Sequence, residues 1–230
     1  MAQKHIKRRH FLAMGLAGGL AGGLAGRLAG GVDAPFISHG FTKAGFADDS
    51  ADGLNLEAAL SPRIIGDPDA PILIAEYFSM TCGYCANFHL ETFPAVKKNW
   101  IDTGKARFEY RDFPLSELAI YAHALARAVP ERAYEDMLDI LLTQQSEWAA
   151  SQYPLLELQS MARIAGINED EFSGLMNNRP YLEGIVKIAQ DGYDRFAISS
   201  TPTFVINDKD IIAGYKPYDE FEADLNGLMT

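Results

Sequence analysis

The feature that most constrains this chain is a pair of cysteines, separated by two residues, that follows closely on an apolar segment. The segment, Ile72–Phe78, has the length and composition of a strand that is covered on both faces. Cys82 and Cys85 follow at the predicted start of a helix that extends to about Trp100. Since the chain has two cysteines in all, a disulfide framework and a four-cysteine zinc site are both excluded.

The elements predicted around this pair alternate in an order typical of an α/β fold. Residues 105–113 form a second predicted strand, parallel to the first and joined to it by a right-handed connection. Helical periodicity then continues from residue 115 to about residue 197. A β-hairpin is predicted over residues 203–213 and a closing helix over residues 217–228. The order is therefore βαβ, a long helical block, then ββα.

Composition and charge exclude several functional classes. The 230 residues are 48% hydrophobic and 22% charged, which argues against a disordered chain and against a protein that crosses a membrane many times. The formal net charge is −11, and nucleic-acid binding depends on an excess of basic residues that neutralise phosphates. We therefore expect no nucleic-acid partner.

Residues 1–31 have the form of an export signal. They contain five basic residues and no acidic one, so the remaining chain has 15 basic and 31 acidic residues. The uncharged stretch from residue 11 to residue 26 is shorter than the roughly 20 residues of a membrane-spanning helix. Arg8 and Arg9, followed by an apolar pair, resemble the twin-arginine export motif. We predict export to the periplasm, with Ala29, Ala34 and Ala47 as alternative ends of the signal, so that cleavage falls no later than residue 47.

A membrane anchor that is not cleaved is the disfavoured alternative for this N-terminus. Gly15, Gly19 and Gly23 have the spacing at which helices pack closely in membranes, but Arg27 interrupts the segment. Residues 32–62 show no sustained periodicity, and we interpret them as a linker or an N-terminal arm.

The cysteine pair allows three interpretations. A redox-active pair is favoured, because backbone N–H groups and the dipole at a helix start stabilise the thiolate of Cys82. A structural disulfide in so small a loop would contribute about 2 kcal/mol at most, in a chain large enough to fold without it. A metal site would have Cys82, Cys85 and His89, an incomplete zinc set that could hold Cu(I). A thiol-based metal-binding or holding protein without redox turnover is therefore the alternative function.

Five short segments, one of which contains the cysteine pair, form a recognisable pattern along the chain. They are Gly66-Asp67-Pro68-Asp69-Ala70-Pro71, Glu76-Tyr77-Phe78-Ser79, Cys82-Gly83-Tyr84-Cys85, Arg111-Asp112-Phe113-Pro114-Leu115 and Thr201-Pro202-Thr203-Phe204-Val205. In type and order they resemble DsbA-like thiol–disulfide oxidoreductases of the thioredoxin superfamily. The resemblance covers residues 63–230. It implies a thioredoxin fold with a mixed central sheet, formed by residues 63–114 and 198–230 and divided by an all-helical insertion at residues 115–197.

The resemblance also implies roles for individual residues. Cys82 would be the nucleophile that forms a mixed disulfide with a client protein, and Cys85 the resolving thiol. Thr201-Pro202 would be a cis peptide that presents the backbone of Thr201 to the client. Glu76 would be a buried proton acceptor for Cys85, and a carboxylate at the strand end that reaches solvent is the alternative.

The chain departs from the strongly oxidising members of this family between the two thiols. Gly83 and Tyr84, which would tune the redox potential, replace Pro-His, so we expect a less stabilised Cys82 thiolate and a weaker oxidant. This dipeptide, together with Thr201 before the proline, resembles the isomerase and reductase branch. Those enzymes are commonly oligomeric through an N-terminal extension, but residues 32–62 show no heptads. A homo-oligomer is left open.

The sequence therefore predicts a periplasmic thiol–disulfide oxidoreductase, with the choice between oxidase and isomerase open. Its partners would be unfolded or misfolded exported proteins and a membrane thiol–disulfide protein that resets the thiols. No cofactor is expected beyond the redox-active disulfide of Cys82 and Cys85, and no metal. A glutathione-conjugating relative of similar architecture is disfavoured by the export signal and by the paired cysteines.

Overall fold

The computed structural model describes residues 54–228. They form a five-stranded mixed sheet and the helices that pack around it. The strands are β1 (Arg63–Ile65), β2 (Ile72–Phe78), β3 (Ala106–Asp112), β4 (Thr203–Ile206) and β5 (Asp210–Ala213). Their order is β1-β3-β2-β4-β5; β2 and β3 are parallel, and every other neighbouring pair is antiparallel. The predicted thioredoxin fold with a mixed central sheet is confirmed.

Helices cover the sheet and form the insertion between β3 and β4. They are α1 (Leu56–Leu60), α2 (residues 83–101), α3 (Glu117–Ala128), α4 (Tyr134–Thr143), α5 (Gln145–Trp148), α6 (Pro154–Ile164), α7 (Glu169–Asn177), α8 (Arg179–Phe196) and α9 (Tyr218–Leu228), with a 3₁₀ turn at Glu131–Ala133. Helix α2 is α-helical over Gly83–Asn87 and Phe93–Val96 and π-helical over Phe88–Thr92 and Lys97–Ile101. The first π-helical segment ends at Thr92, two residues before Pro94, which has no N–H to continue the α-helical pattern.

Strand β1 is an element that the sequence did not predict. Its three residues pair antiparallel with β3, with Arg63 opposite Tyr110. Arg63 is buried, at 3% exposure, and its guanidinium donates to the carbonyls of Ala59 and Arg127. A buried arginine in so short a strand gives no local apolar pattern, which is why the strand was missed.

Strand β2 lies at the centre of the sheet and is buried along almost its whole length. On one face, aromatic rings of α2, β3, β4 and α9 pack together: Phe88, Phe93, Phe108, Phe204 and Phe221. On the other face, Ala75 and Tyr77 pack with Val205 and Ile198. The site-bearing end of β2 is therefore fixed by a core on both sides of the sheet.

Helix α1 packs on the helical insertion. Its Ala59 is buried against Ala124 of α3 and Tyr181 and Ile185 of α8. The predicted export signal and most of the predicted arm lie outside the described residues. Among residues 54–228, no helix is both long enough and apolar enough to span a membrane.

Candidate active site

Cys82 lies where the chain leaves β2 and enters α2. It is the N-cap residue of that helix, with extended backbone angles (φ −90°, ψ 115°). The preceding turn is held by the buried Ser79 hydroxyl, which accepts from the backbone N–H groups of Thr81 and Leu115. Cys82 is half-buried, whereas Cys85, one turn into the helix, is 1% exposed, and both thiols are free.

The environment of Cys82 lowers the pKa of its thiol to about 5. The largest cause is a hydrogen bond from the Cys85 thiol; burial opposes it, and Thr201 and the backbone N–H groups of Cys85 and Tyr84 add to the lowering. These backbone groups are the unpaired donors at the start of α2, where the helix dipole also favours an anion. Cys82 is therefore a thiolate at neutral pH.

The environment of Cys85 has the opposite effect. Burial, followed by its hydrogen bond to Cys82 and the nearby charge of Glu76, raises the pKa of the Cys85 thiol far above its ordinary value. The pair therefore consists of an accessible thiolate and a buried thiol that keeps its proton. In a thiol–disulfide exchange this asymmetry makes Cys82 both the better nucleophile at neutral pH and the better leaving group.

Glu76 lies in the middle of β2 and is 3% exposed, so the alternative of a carboxylate that reaches solvent is wrong. Burial raises its pKa well above the ordinary value, and the charge of Cys82 raises it further. The charge of Glu76 in turn adds to the raised pKa of Cys85, after burial and the hydrogen bond to Cys82.

The Thr201–Pro202 peptide bond is cis and lies beside the thiols. When Cys82 is protonated, its thiol donates to the Thr201 carbonyl, with the sulfur 3.3 Å from the oxygen. Pro202 is buried just before β4, and its carbonyl accepts from the Gly214 N–H at 2.8 Å. The backbone of Thr201 is thus within reach of whatever reacts with Cys82.

The two residues between the cysteines are exposed. A Cβ atom at Gly83 would meet no heavy atom within 4 Å, so the space around this position does not require glycine. Tyr84 is 64% exposed, and its ring stacks on Tyr215 with centroids 6.4 Å apart. The Tyr215 hydroxyl in turn donates to Glu91 at 2.6 Å. The stacked pair thus begins two residues from the half-buried Cys82.

Comparison with known proteins identifies the family. A family model described as thioredoxin matches residues 59–226. The chain belongs to the thioredoxin family. The crystal structure of Wolbachia pipientis alpha-DsbA1 superposes with a TM-score of 0.66 at 29% identity, covering 73% of this chain and 90% of that one. Chlamydia trachomatis DsbA, at 24% identity and a TM-score of 0.62, covers 73% and 91% and supports the fold.

Curated relatives of this thioredoxin-family chain carry matching names. It is 29% identical over 145 residues to a Rickettsia typhi protein named "Putative protein-disulfide oxidoreductase", covering 63% of this chain and 54% of the relative. A Rickettsia conorii protein, also named as a putative protein-disulfide oxidoreductase, is 30% identical over 147 residues, which cover 63% of this chain and 52% of the relative. The chain thus spans about half the length of these relatives. The DsbA-like resemblance is confirmed at the level of family and fold.

Two side chains at this thioredoxin-family site were not identified from the sequence. Gln145 of α5 donates from Nε2 to the carbonyls of Met80 and Cys82, at 2.9 and 3.0 Å. His123 of α3 accepts the Met80 N–H at Nε2, at 3.3 Å. The only signal for His123 was a polar residue amid the buried alanines of α3, and nothing set Gln145 apart from its neighbour Gln144.

The metal-binding alternative receives no support from the described residues. Within 54–228, no group of three or more His, Cys, Asp or Glu side chains is placed to hold a metal ion. His89 packs against the ring of Phe93 and hydrogen-bonds through Nε2 to Asp139. Its imidazole is therefore engaged with α4 and forms no ligand set with Cys82 and Cys85.

Proposed function

We propose that this chain is a thiol–disulfide oxidoreductase that forms or isomerises disulfides in exported proteins. The observation that carries the proposal is the asymmetry of the two thiols. Cys82 is accessible with a pKa of about 5, while Cys85 is buried with a raised pKa. A structural disulfide needs no such asymmetry, whereas an exchange reaction needs one sulfur that reacts with the client and one that resolves the product.

In the oxidising direction, a client thiolate attacks Sγ of Cys82 in the Cys82–Cys85 disulfide. A mixed disulfide forms on Cys82, the bond between the two cysteines breaks, and Cys85 leaves with the electron pair and takes a proton. A second client thiolate then attacks the client sulfur of the mixed disulfide and expels Cys82 as a thiolate. The client loses two electrons, and the cysteine pair gains them. Its low pKa makes Cys82 a good leaving group in this second step.

In the isomerising direction, the reduced protein starts the reaction. The Cys82 thiolate attacks a client disulfide and releases one client thiolate, which attacks a different disulfide until the client's own thiol displaces Cys82. No net electron transfer occurs. If the client stalls, Cys85 attacks Cys82 and releases the reduced client, with the pair left oxidised. The pKa of Cys82, about 5, lies between about 3.5 for strongly oxidising DsbA and about 7 for thioredoxin, a value compatible with either direction.

Glu76 would take the proton from Cys85 at that resolving step. Burial raises the pKa of Glu76, and the charge of the Cys82 thiolate raises it further. When Cys82 becomes part of a mixed disulfide, this negative charge disappears and Glu76 ionises more readily. The carboxylate is then easier to form at the stage when Cys85 must lose its proton, as general-base assistance requires.

The remaining site residues would contact the client. The Thr201 carbonyl, beside the cis bond to Pro202, would pair with an extended client backbone. Gly83 and Tyr84 would set the potential and border the client's path, because both are exposed next to Cys82. These assignments rest on position, since each residue lies within the first turn of α2 or against the Cys82 sulfur.

The setting of the reaction would be the periplasm, reached through the predicted twin-arginine-like signal. Disulfides form and persist in such oxidising compartments. Clients would be unfolded or misfolded exported proteins. Because each oxidation leaves the Cys82–Cys85 pair reduced, a membrane thiol–disulfide partner would be needed to remove the two electrons.

Trapping of the mixed disulfide tests the proposal. Cys85→Ser should accumulate a covalent adduct with a disulfide-bonded client, visible on a non-reducing gel, because the resolving thiol is gone. Cys82→Ser should form none and should lose turnover of clients. Equal adduct formation by both variants would contradict the assigned roles. Refolding of a scrambled client then separates the directions, since rapid oxidation without repair would exclude isomerisation.

A further inference from the structure

The turn that carries Cys82 is held by side chains of the helical insertion that the proposed reaction does not use. These are Gln145 from α5 and His123 from α3, and both are buried, at 8% and 0% exposure. Neither touches a thiol sulfur through a hydrogen bond in the described residues. They bind backbone groups of Met80 and of the nucleophile Cys82, the two residues on either side of Thr81.

Gln145 has the more direct connection to the nucleophile. Its two amide hydrogens are directed at two carbonyls, that of Met80 at 2.9 Å and that of Cys82 at 3.0 Å. The Cys82 carbonyl also accepts from the N–H groups of Cys85 and Ala86, which are the first hydrogen bonds of α2. Gln145 therefore fixes the residue from which α2 starts, and hence the direction of the N–H groups that stabilise the thiolate.

His123 binds the backbone N–H of Met80, whose carbonyl is bound by Gln145. Its Nε2 accepts the Met80 N–H, so the ring carries a proton on Nδ1, which lies 3.0 Å from Asp112 Oδ1. Asp112 is in turn paired with Arg127. Both polar groups of the Met80 backbone thus have partners in the helical insertion, and the Met80 side chain is fully buried.

We propose that Gln145 is a positioning residue that makes the Cys82–Cys85 disulfide more oxidising. Its amide N–H groups place positive partial charge at the Cys82 peptide and hold the start of α2 in the geometry that favours the thiolate. Since only the reduced protein contains that thiolate, Gln145 stabilises the reduced form more than the oxidised one. The helical insertion thereby sets the redox potential of a site whose cysteines belong to the thioredoxin domain.

This role differs from ordinary structural support in a measurable way. A hydrogen bond that only holds the fold stabilises the oxidised and reduced proteins equally, so its loss leaves the redox equilibrium unchanged. A positioning role changes the difference between the two forms. The inference rests on the proposed redox function only for the equilibrium with glutathione, because the pKa of Cys82 can be measured whether or not any client is turned over.

The test compares Gln145→Met with Gln144→Met in the full chain. Methionine matches glutamine in length but has no amide donor, and the Gln144 side chain makes no hydrogen bond to any residue among 54–228, which makes it the matched control. For Gln145→Met we expect the pKa of Cys82 to rise. The ultraviolet absorbance of the thiolate, recorded as a function of pH, measures this pKa. The equilibrium with glutathione should shift about threefold to tenfold toward the oxidised protein. Gln144→Met should leave both unchanged.

An unchanged Cys82 pKa and an unchanged glutathione equilibrium in a folded Gln145→Met protein would overturn the proposal. The same holds if both glutamine variants shift the equilibrium equally. If Gln145→Met does not fold, the side-chain amide resonances of Gln145 in the wild-type protein provide the test. They should titrate with the apparent pKa of Cys82 and differ between the oxidised and reduced forms; amide signals insensitive to both would refute the role. Loss of client turnover with these signals intact would contradict only the proposed function.

Discussion

Two carboxyl groups lie buried on adjacent strands of the sheet, and their surroundings give them opposite properties. Glu76 on β2 is 3% exposed and Asp112 at the end of β3 is 0% exposed. The pKa of Glu76 is raised well above its ordinary value, whereas that of Asp112 is lowered to about 2. Burial alone raises the pKa of both, so the difference arises from the partners.

Asp112 is surrounded by partners. Burial would raise its pKa, but the charge of Arg127 and the contact with His123 outweigh that effect. Arg127 also donates to the carbonyls of Ala59 and Ser61, which binds the segment around α1 to the insertion. A buried carboxylate with this set of donors stays ionised and serves the fold.

Glu76 has no cationic partner among residues 54–228, and the charge that acts on it is the negative one of Cys82. Such a group is held in its neutral form by its surroundings. The comparison teaches that a buried acid on this sheet is held ionised when bases surround it, and that one beside the thiol pair is held neutral, as the proposed proton transfer to Glu76 would need. Substitutions of Asp112 and Glu76 test this division.

Asp112→Asn should have the largest effect. It removes the negative charge beside Arg127 and leaves a buried guanidinium uncompensated, which typically costs about 3–5 kcal/mol of unfolding free energy. Urea unfolding of the oxidised protein measures this loss. The exposed pair of Arg179 and Glu183 provides the control, because Arg179→Gln should cost less than about 0.5 kcal/mol. Equal losses in the two variants would contradict a structural role for Asp112.

The sequence could reveal one side of this comparison better than the other. The β2 strand and Cys82 are local patterns, an apolar segment followed by a short motif, so Glu76 stood out as a charge in an apolar strand. The contacts around Asp112 join residues that lie far apart in the chain. Its partner Arg127 donates to the Ala59 carbonyl of α1, and Arg63 donates to the carbonyls of Ala59 and Arg127. No local periodicity reports such a meeting.

The same reason explains which parts of the fold and site were predicted. The hairpin of β4 and β5 was found because Asn207 and Asp208 tolerate the left-handed conformation that its turn adopts. Gln145 was missed because its function depends on the packing of α5 against the Cys82 turn, and an isolated glutamine in a helix carries no sign of it.

Lowering the pH should change the contribution of Asp112 to stability, an effect intermediate in size between those of the Asp112 and Glu76 substitutions. The pKa of Asp112 is depressed on folding, from 3.8 to about 2, so its contribution is fully present above pH 3.8 and is lost as pH falls through 2. The stability difference between wild type and Asp112→Asn should therefore shrink by about 2 kcal/mol between about pH 6 and about pH 2. Denaturant titrations of both proteins across this range measure it. A difference independent of pH would mean that Asp112 is not ionised in the folded protein.

Glu76→Gln should have the smallest effect on stability, with the opposite sign. The pKa of Glu76 is raised on folding. The contribution of Glu76 to the free energy of unfolding is therefore fully present below its ordinary pKa of 4.5, and it declines as the pH rises toward the pKa of Glu76 in the folded protein. The amide variant avoids this decline and should equal or exceed the wild type at about pH 7, by about 1 kcal/mol or less. Unfolding measured at about pH 4 should show no gain.

The same variant should impair the chemistry despite its intact fold. Without a proton acceptor for Cys85, resolution of the mixed disulfide on Cys82 should slow by about tenfold or more, measured by stopped-flow release of a fluorescent client peptide. Glu109→Gln is the control, because Glu109 lies on β3 paired with Arg111 rather than with the thiols. If Glu76→Gln resolves the adduct at the wild-type rate, burial without a cationic partner does not mark a proton acceptor, and the division between the two carboxyl groups reduces to stability alone.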